Sequence, residues 1–157
     1  MPATSPDAPP AVTASLAFVN SMASLMDYLF SGILVRFPTL KLSYAESQIG
    51  WLPYVLERCD DVWEDNAAWA KTKHVPEPPS HYYYRNVFAS FFKDRTGIEN
   101  LATTGVDNIC YETDYPHGDT TWPNTRPYVA KLLAGLDDVK VEKILRGNAM
   151  RMLGMVR

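Results

Sequence analysis

At 157 residues, with 46% hydrophobic and 21% charged side chains, the chain has the size and apolar content of one ordinary folded domain. Its net charge of −3 carries no polycationic signature, which argues against nucleic acid and anionic membranes as partners. Cys59 and Cys110 lack C-x-x-C spacing and sit in apolar stretches, so they read as buried free thiols of a reducing compartment.

Residues 1–14, rich in Pro and Ala, lack the basic start of a secretory signal and read as an extended or disordered lead-in. The most apolar stretch, Leu16–Phe37, contains Asn20, Asp27 and Arg36, too polar a set for a membrane span. A soluble, cytoplasmic protein is expected. From Ser15, apolar residues including Met22, Leu25, Met26, Leu29 and Ile33 recur at threes and fours, predicting one helix that Pro38 stops near Arg36.

Lys41–Ser47 (KLSYAES) reads as a short strand with Leu42, Tyr44 and Glu46 on one face. After a turn at Gly50, residues 51–65 predict a helix with Pro53 in its first turn and a buried stripe through Leu52, Val55, Leu56 and Cys59, continuing to Val62 and Trp63. Residues 66–84 read as a long irregular connection. The near-continuous apolar run Asn86–Phe92 predicts a strand covered on both faces. A helix over Thr96–Thr104 is stopped by Gly105, and Asp107–Thr113 predicts a third strand running into Asp114. Helices follow over Asn124–Ala134, stopped by Gly135, and from Asp137 and Asp138. A short turn, Asn148–Met155, closes the chain.

Strand and helix alternate three times, the pattern of an α/β fold with parallel strands and helical crossovers. The opening helix has no strand before it, and a three-stranded parallel sheet has two edges that proteins normally cover or close. The expected fold is therefore part of a larger one.

Four blocks, RFPTLK (36–41), GWLPYVLER (50–58), DYPH (114–117) and KILRGNAMRMLG (143–154), resemble in order and spacing the C-terminal half of the amidohydrolase-related metal-dependent TIM-barrel hydrolases. That group is similar to aminocarboxymuconate semialdehyde decarboxylase. The resemblance implies that residues 15–157 are the C-terminal part of a (β/α)8 barrel domain, their strands being the sixth to eighth. It also implies hydrolysis or decarboxylation of a small carbonyl- or carboxylate-bearing substrate, with a divalent metal, zinc first, in the full-length enzyme. The family's H-x-H pair on the first strand and its histidine on the fifth have no counterpart here. This chain alone is thus expected to lack a working metal site and to need an N-terminal half or self-association. The alternative is a half barrel that serves only for assembly, or a truncated relic.

Asp114, at a strand end, is either a turn cap or a catalytic group; the family resemblance makes it a metal ligand that helps activate bound water. Glu46 stands where many family members carry a histidine, and reads as a general base or oxygen ligand, or as a salt-bridged strand-end residue. Glu112 precedes Asp114 by two residues and should face the same interior, where two carboxylates repel unless a cation, a shared proton or an arginine intervenes. His117 reads as a substrate contact or a solvent-facing loop residue. His74 and His81 read as surface residues, and Trp51 and Trp122 as packing. Arg126 meets either a substrate carboxylate or solvent.

Overall fold

The computed structural model describes residues 5–65 and 67–155. Three short strands, β1 (Leu42–Tyr44), β2 (Val87–Phe91) and β3 (Ile109–Tyr111), form one parallel sheet in the order β1–β2–β3. Leu42 lies opposite Val87, and Ala89 opposite Ile109. With a side-chain period of two, this register puts Leu42, Tyr44, Val87, Ala89, Phe91, Ile109 and Tyr111 on one face; Val87, Ala89, Phe91 and Ile109 belong to the hydrophobic core, and Leu42, Tyr44 and Tyr111 pack against it partly buried. The opposite face carries Ser43, Phe88, Ser90 and Cys110, none of them in that core cluster. The α/β class and the three parallel strands are as the sequence predicts.

The helices differ from the sequence reading where long-range contacts intervene. Part of the lead-in forms α1 (Pro10–Ser15), because a proline fits the first turn of a helix; residues 1–4 lie outside the described residues. The single helix expected up to Arg36 is two, α2 (Val19–Phe30) and α3 (Ile33–Arg36), separated at Gly32 with φ +76°. A Cβ at Gly32 would stand 2.8 Å from the His74 ring, whose Nε2 is 2.7 Å from the Phe30 carbonyl oxygen. The break thus coincides with close contact from a residue far along the chain.

Helix α4 (Leu52–Asp65) forms as expected and buries Leu52, Val55, Leu56 and Cys59. Val62 and Trp63 at its end are only half-buried. The stretch read as irregular instead contains α5 (Ala67–Ala70) and α6 (Pro79–Asn86). Its prolines start a helix rather than prevent one: Pro79 occupies the first turn of α6, which buries Tyr82 and Tyr83. The next predicted helix is divided into α7 (Arg95–Glu99) and α8 (Leu101–Thr104), with Gly105 at φ +76° ending it. After β3 come α9 (Thr125–Leu132), α10 (Asp138–Glu142), a π-helical turn over Lys143–Gly147, and α11 (Asn148–Met152). Asp137 caps α10 by accepting the Lys140 N–H at 2.9 Å.

Helix α11 lies beneath the entry ends of the strands. Asn148, buried, donates to the carbonyls of Val106 (2.7 Å) and Ile109 (2.8 Å). Lys41 donates to the Arg151 carbonyl at 2.6 Å, and the Arg151 guanidinium sits 4.8 Å above the Phe88 ring. Both cysteines are buried and free, and burial pushes each thiol up to about 11. No helix among the described residues is long and apolar enough to cross a membrane.

Asp94 ties the carboxyl ends of the first two strands together. Its buried side chain caps α7 by accepting the Gly97 N–H (2.8 Å), and also accepts the N–H groups of Ile49 (2.7 Å) and Gly50 (2.5 Å) ahead of α4. The approach is close enough that a Cβ at Gly50 would be 2.7 Å from Asp94 Oδ1, and one at Gly97 2.2 Å from Ile49 Cγ1. Replacing Asp94 with Ala orphans three backbone donors, so Asp94→Ala should lower stability by about 2–4 kcal/mol. A urea unfolding midpoint that stays at the wild-type value would contradict this role.

Candidate active site

The sequence-nominated residues gather at the carboxyl ends of β1 and β3. Strand β1 ends at Tyr44, and the chain then turns through Glu46 (φ +52°) and Gln48 (φ +54°). A left-handed backbone at a non-glycine residue costs roughly 1–2 kcal/mol, so such a turn persists only where its surroundings hold it. Several groups do so here. Glu112 Oε1 accepts the Glu46 N–H at 2.7 Å. The fully buried Ser47 hydroxyl is 3.1 Å from the Tyr44 carbonyl oxygen and 3.0 Å from that of Gln48. Trp51, half-buried, donates its indole N–H to the Ser47 carbonyl (2.8 Å), and Asp94 holds the far end of the turn. Trp51 is therefore a packing and anchoring residue, as expected.

Glu46 itself departs from the sequence reading. Simple alternation would place it with Leu42 and Tyr44, which face the core. The left-handed turn breaks that alternation and leaves Glu46 exposed.

After β3, the Glu112 N–H extends the ladder to the Phe91 carbonyl (2.9 Å). Asp114 follows with φ +58°; its side chain is only 8% exposed, whereas that of His117 is 68% exposed. His117 Nδ1 lies 3.0 Å from Asp114 Oδ2, and the His117 N–H donates to the Asp114 carbonyl at 2.8 Å. Asp114 and His117 thus form a buried-carboxylate, exposed-imidazole pair within one turn. Thr113 holds the loop that follows: its carbonyl accepts the Thr120 hydroxyl (2.6 Å) and the Thr121 N–H (3.2 Å). Lys93, just beyond β2, reaches Asp119 in the same loop at 2.5 Å.

Glu112 is the most perturbed acid of the group. Desolvation pushes its carboxyl up to about 7; the Glu46 N–H works against this, and the charges of Glu46 and Asp114 reinforce it. Glu46 and Asp114 are therefore both close enough to act on Glu112. One further residue, Tyr115, escaped the sequence reading. Tyr115 and Trp122 stand 63% and 58% exposed with ring centroids 5.5 Å apart, so the packing of Trp122 is against Tyr115 at the surface. Adjacency to Asp114 was the available signal for Tyr115. His74 and His81 are exposed, as expected. Arg126 is exposed too, and with Val129, Leu133, Val141 and Leu145 it lines a cavity of about 400 Å³.

A catalytic zinc needs about three protein ligands. Among the described residues, no group of three or more His, Cys, Asp or Glu side chains is arranged to hold a metal ion. The donors present, Asp114 with His117 beside it, do not fit such an ion by themselves.

The amidohydrolase family profile matches residues 11–155, and the chain belongs to that family. Among solved structures it is similar to an amidohydrolase from Mycobacterium avium subsp. paratuberculosis K-10 (24% identity, TM-score 0.75), covering 93% of this chain and 36% of that one. It is similar also to a dihydroxybenzoic acid decarboxylase from Polaromonas sp. JS666, solved with bound manganese and the inhibitor 2-nitroresorcinol (18%, TM-score 0.67, 89% and 41%). A third is the 5-carboxyvanillate decarboxylase LigW from Sphingomonas paucimobilis (18%, TM-score 0.69, 86% and 40%). At these identities the likeness shows the fold: part of a TIM barrel. The chain spans between 36% and 41% of the length of these proteins. No curated protein matches the sequence.

The raised Glu112 carboxyl has a consequence for stability. A carboxyl that titrates near 7 in the fold and near 4.5 in the unfolded chain binds more protons when folded between those values. Its contribution is fully present below about pH 4.5 and is lost as pH rises to about 7. Glu112→Gln should flatten the fall in stability across that window, measured by urea unfolding at a series of pH values. A fall of equal steepness in the variant would assign it to other groups.

Proposed function

We propose that this polypeptide is the C-terminal portion of a metal-dependent amidohydrolase-related enzyme that hydrolyses or decarboxylates a small carbonyl- or carboxylate-bearing substrate. The observation that carries this reading is the buried Asp114 carboxylate at the end of β3, in a chain of this family. Barrel enzymes place their reactive groups at the carboxyl ends of the strands, where Asp114, Glu46 and Glu112 stand. In this reading Asp114 is one ligand of a divalent metal, zinc first and manganese next, since manganese is bound in the Polaromonas decarboxylase. Glu46 is the catalytic carboxylate on the neighbouring rim, and His117 contacts the substrate from its exposed position beside Asp114.

The remaining ligands come from outside the described residues, supplied by an N-terminal half or by another chain. The incomplete donor set favours this, as does the span of less than half of each solved relative. A half barrel that serves assembly alone is the second reading. It is favoured by the two open sheet edges and by exposed Phe37 and Leu40 beside β1.

Metal content separates the two. The chain reconstituted with zinc or manganese should hold far less than one ion. Co-expressed with a polypeptide carrying barrel strands one to five and their H-x-H pair, it should hold near-stoichiometric metal that Asp114→Ala removes. A complex that assembles but takes up no Asp114-dependent metal would favour assembly alone. Stoichiometric metal on the isolated chain would overturn its incompleteness.

A further inference from the structure

Glu112 makes a connection that the sheet does not. Strands β1 and β3 are not neighbours; β2 lies between them, so they are two strand spacings, roughly 10 Å, apart. The bond from the Glu46 N–H to Glu112 Oε1 nevertheless joins the turn after β1 to the end of β3 at 2.7 Å. Glu112 can do this because it shares the parity of Cys110, on the face away from the helical core. The left-handed turn at Glu46 supplies the other half, aiming that N–H back across the end of β2.

The rest of the turn is held by other groups. Asp94 takes the N–H groups of Ile49 and Gly50; the Ser47 hydroxyl is engaged with carbonyls of its own turn and lies 3.4 Å from that of Ser90 in β2, and Gln48 Oε1 accepts the Phe92 N–H at 3.4 Å. Among the described residues, the contact that reaches residue 46 itself from across the sheet is the bond to Glu112.

We propose that Glu112 is a positioning residue: by accepting the Glu46 N–H, it fixes residue 46 in its left-handed conformation and so sets where the Glu46 carboxylate stands relative to Asp114. The role is mechanical and needs no metal. Its test therefore reads a backbone amide rather than activity, and can fail or succeed independently of the proposed function.

The experiment is residue-resolved amide hydrogen exchange by NMR on the 157-residue chain at one pH. Glu112→Ala should speed exchange of the Glu46 amide by about fivefold or more, the loss of one net hydrogen bond. The Ile49 and Gly50 amides, held by Asp94, should keep their rates. Glu112→Gln, whose carboxamide oxygen still accepts, should restore protection of Glu46. An unchanged Glu46 rate in Glu112→Ala, or equal acceleration of all three amides, would overturn the assignment. Should Glu112→Ala not fold, Glu112→Gln carries the test alone. Replacing the carboxyl acceptor with a carboxamide should move the Glu46 amide proton resonance, and an unmoved resonance overturns the proposal.

Discussion

The Asp94 carboxylate is the contact on which the rim of this sheet depends. A helix N-terminus leaves backbone donors without partners, and an aspartate cap satisfies one or two of them within its own helix. Asp94 does more, because its second oxygen reaches the N–H groups of Ile49 and Gly50 in the connection that follows the neighbouring strand. Two short turns become one rigid unit. The glycines at 50 and 97 let the backbones come close enough, since a Cβ at either would collide. With its far end fixed, the turn through Glu46 and Gln48 has no easy relaxation towards an ordinary extended path, and its left-handed residues persist.

This explains which parts of the molecule could be read from sequence. Local signals were enough for α4, with its apolar stripe and early proline, and for the glycine stop at Gly105. They were enough also for the apolar runs that became β2 and β3, and for an acid at a strand end. Where the reading failed, a distant partner had decided the local conformation. Gly32 breaks a periodic helical pattern in a left-handed conformation, with the His74 ring close beside it. Glu46 leaves the alternation of its strand because Glu112, 66 residues on, receives its N–H. The prolines before Tyr82 looked like a linker, yet Pro79 opens a helix whose tyrosines are buried in the core. Of the candidate site, the residue types were legible and their mutual placement was not.

The placement has an electrostatic cost that bears on function. Glu46 and Asp114 both push the Glu112 carboxyl upward, on top of the larger effect of desolvation. Lys93, in the same loop system, is paired with Asp119. Acidic groups held together in this way stabilise a bound cation more than they stabilise the empty fold. The repulsion is thus consistent with the proposed metal reading, in which an ion would relieve it.

Frame and chemistry are separable in this molecule. The turn at Glu46, the loop closed by Thr113 and the cap at Asp94 are each satisfied by contacts within the described residues. Among those residues the donors at Asp114 do not make up a metal site, and the outer edges of β1 and β3 have no strand partner. The incomplete features share one logic. A parallel edge needs another strand, exposed Phe37 and Leu40 need cover, and a lone buried aspartate needs further ligands before it can hold a catalytic ion. In the proposed reading, one event, docking of the missing barrel strands, would satisfy all three. Because the turns of the rim are already hydrogen-bonded to one another, that docking would meet a preformed half of the site and would spend little of its binding free energy on ordering it.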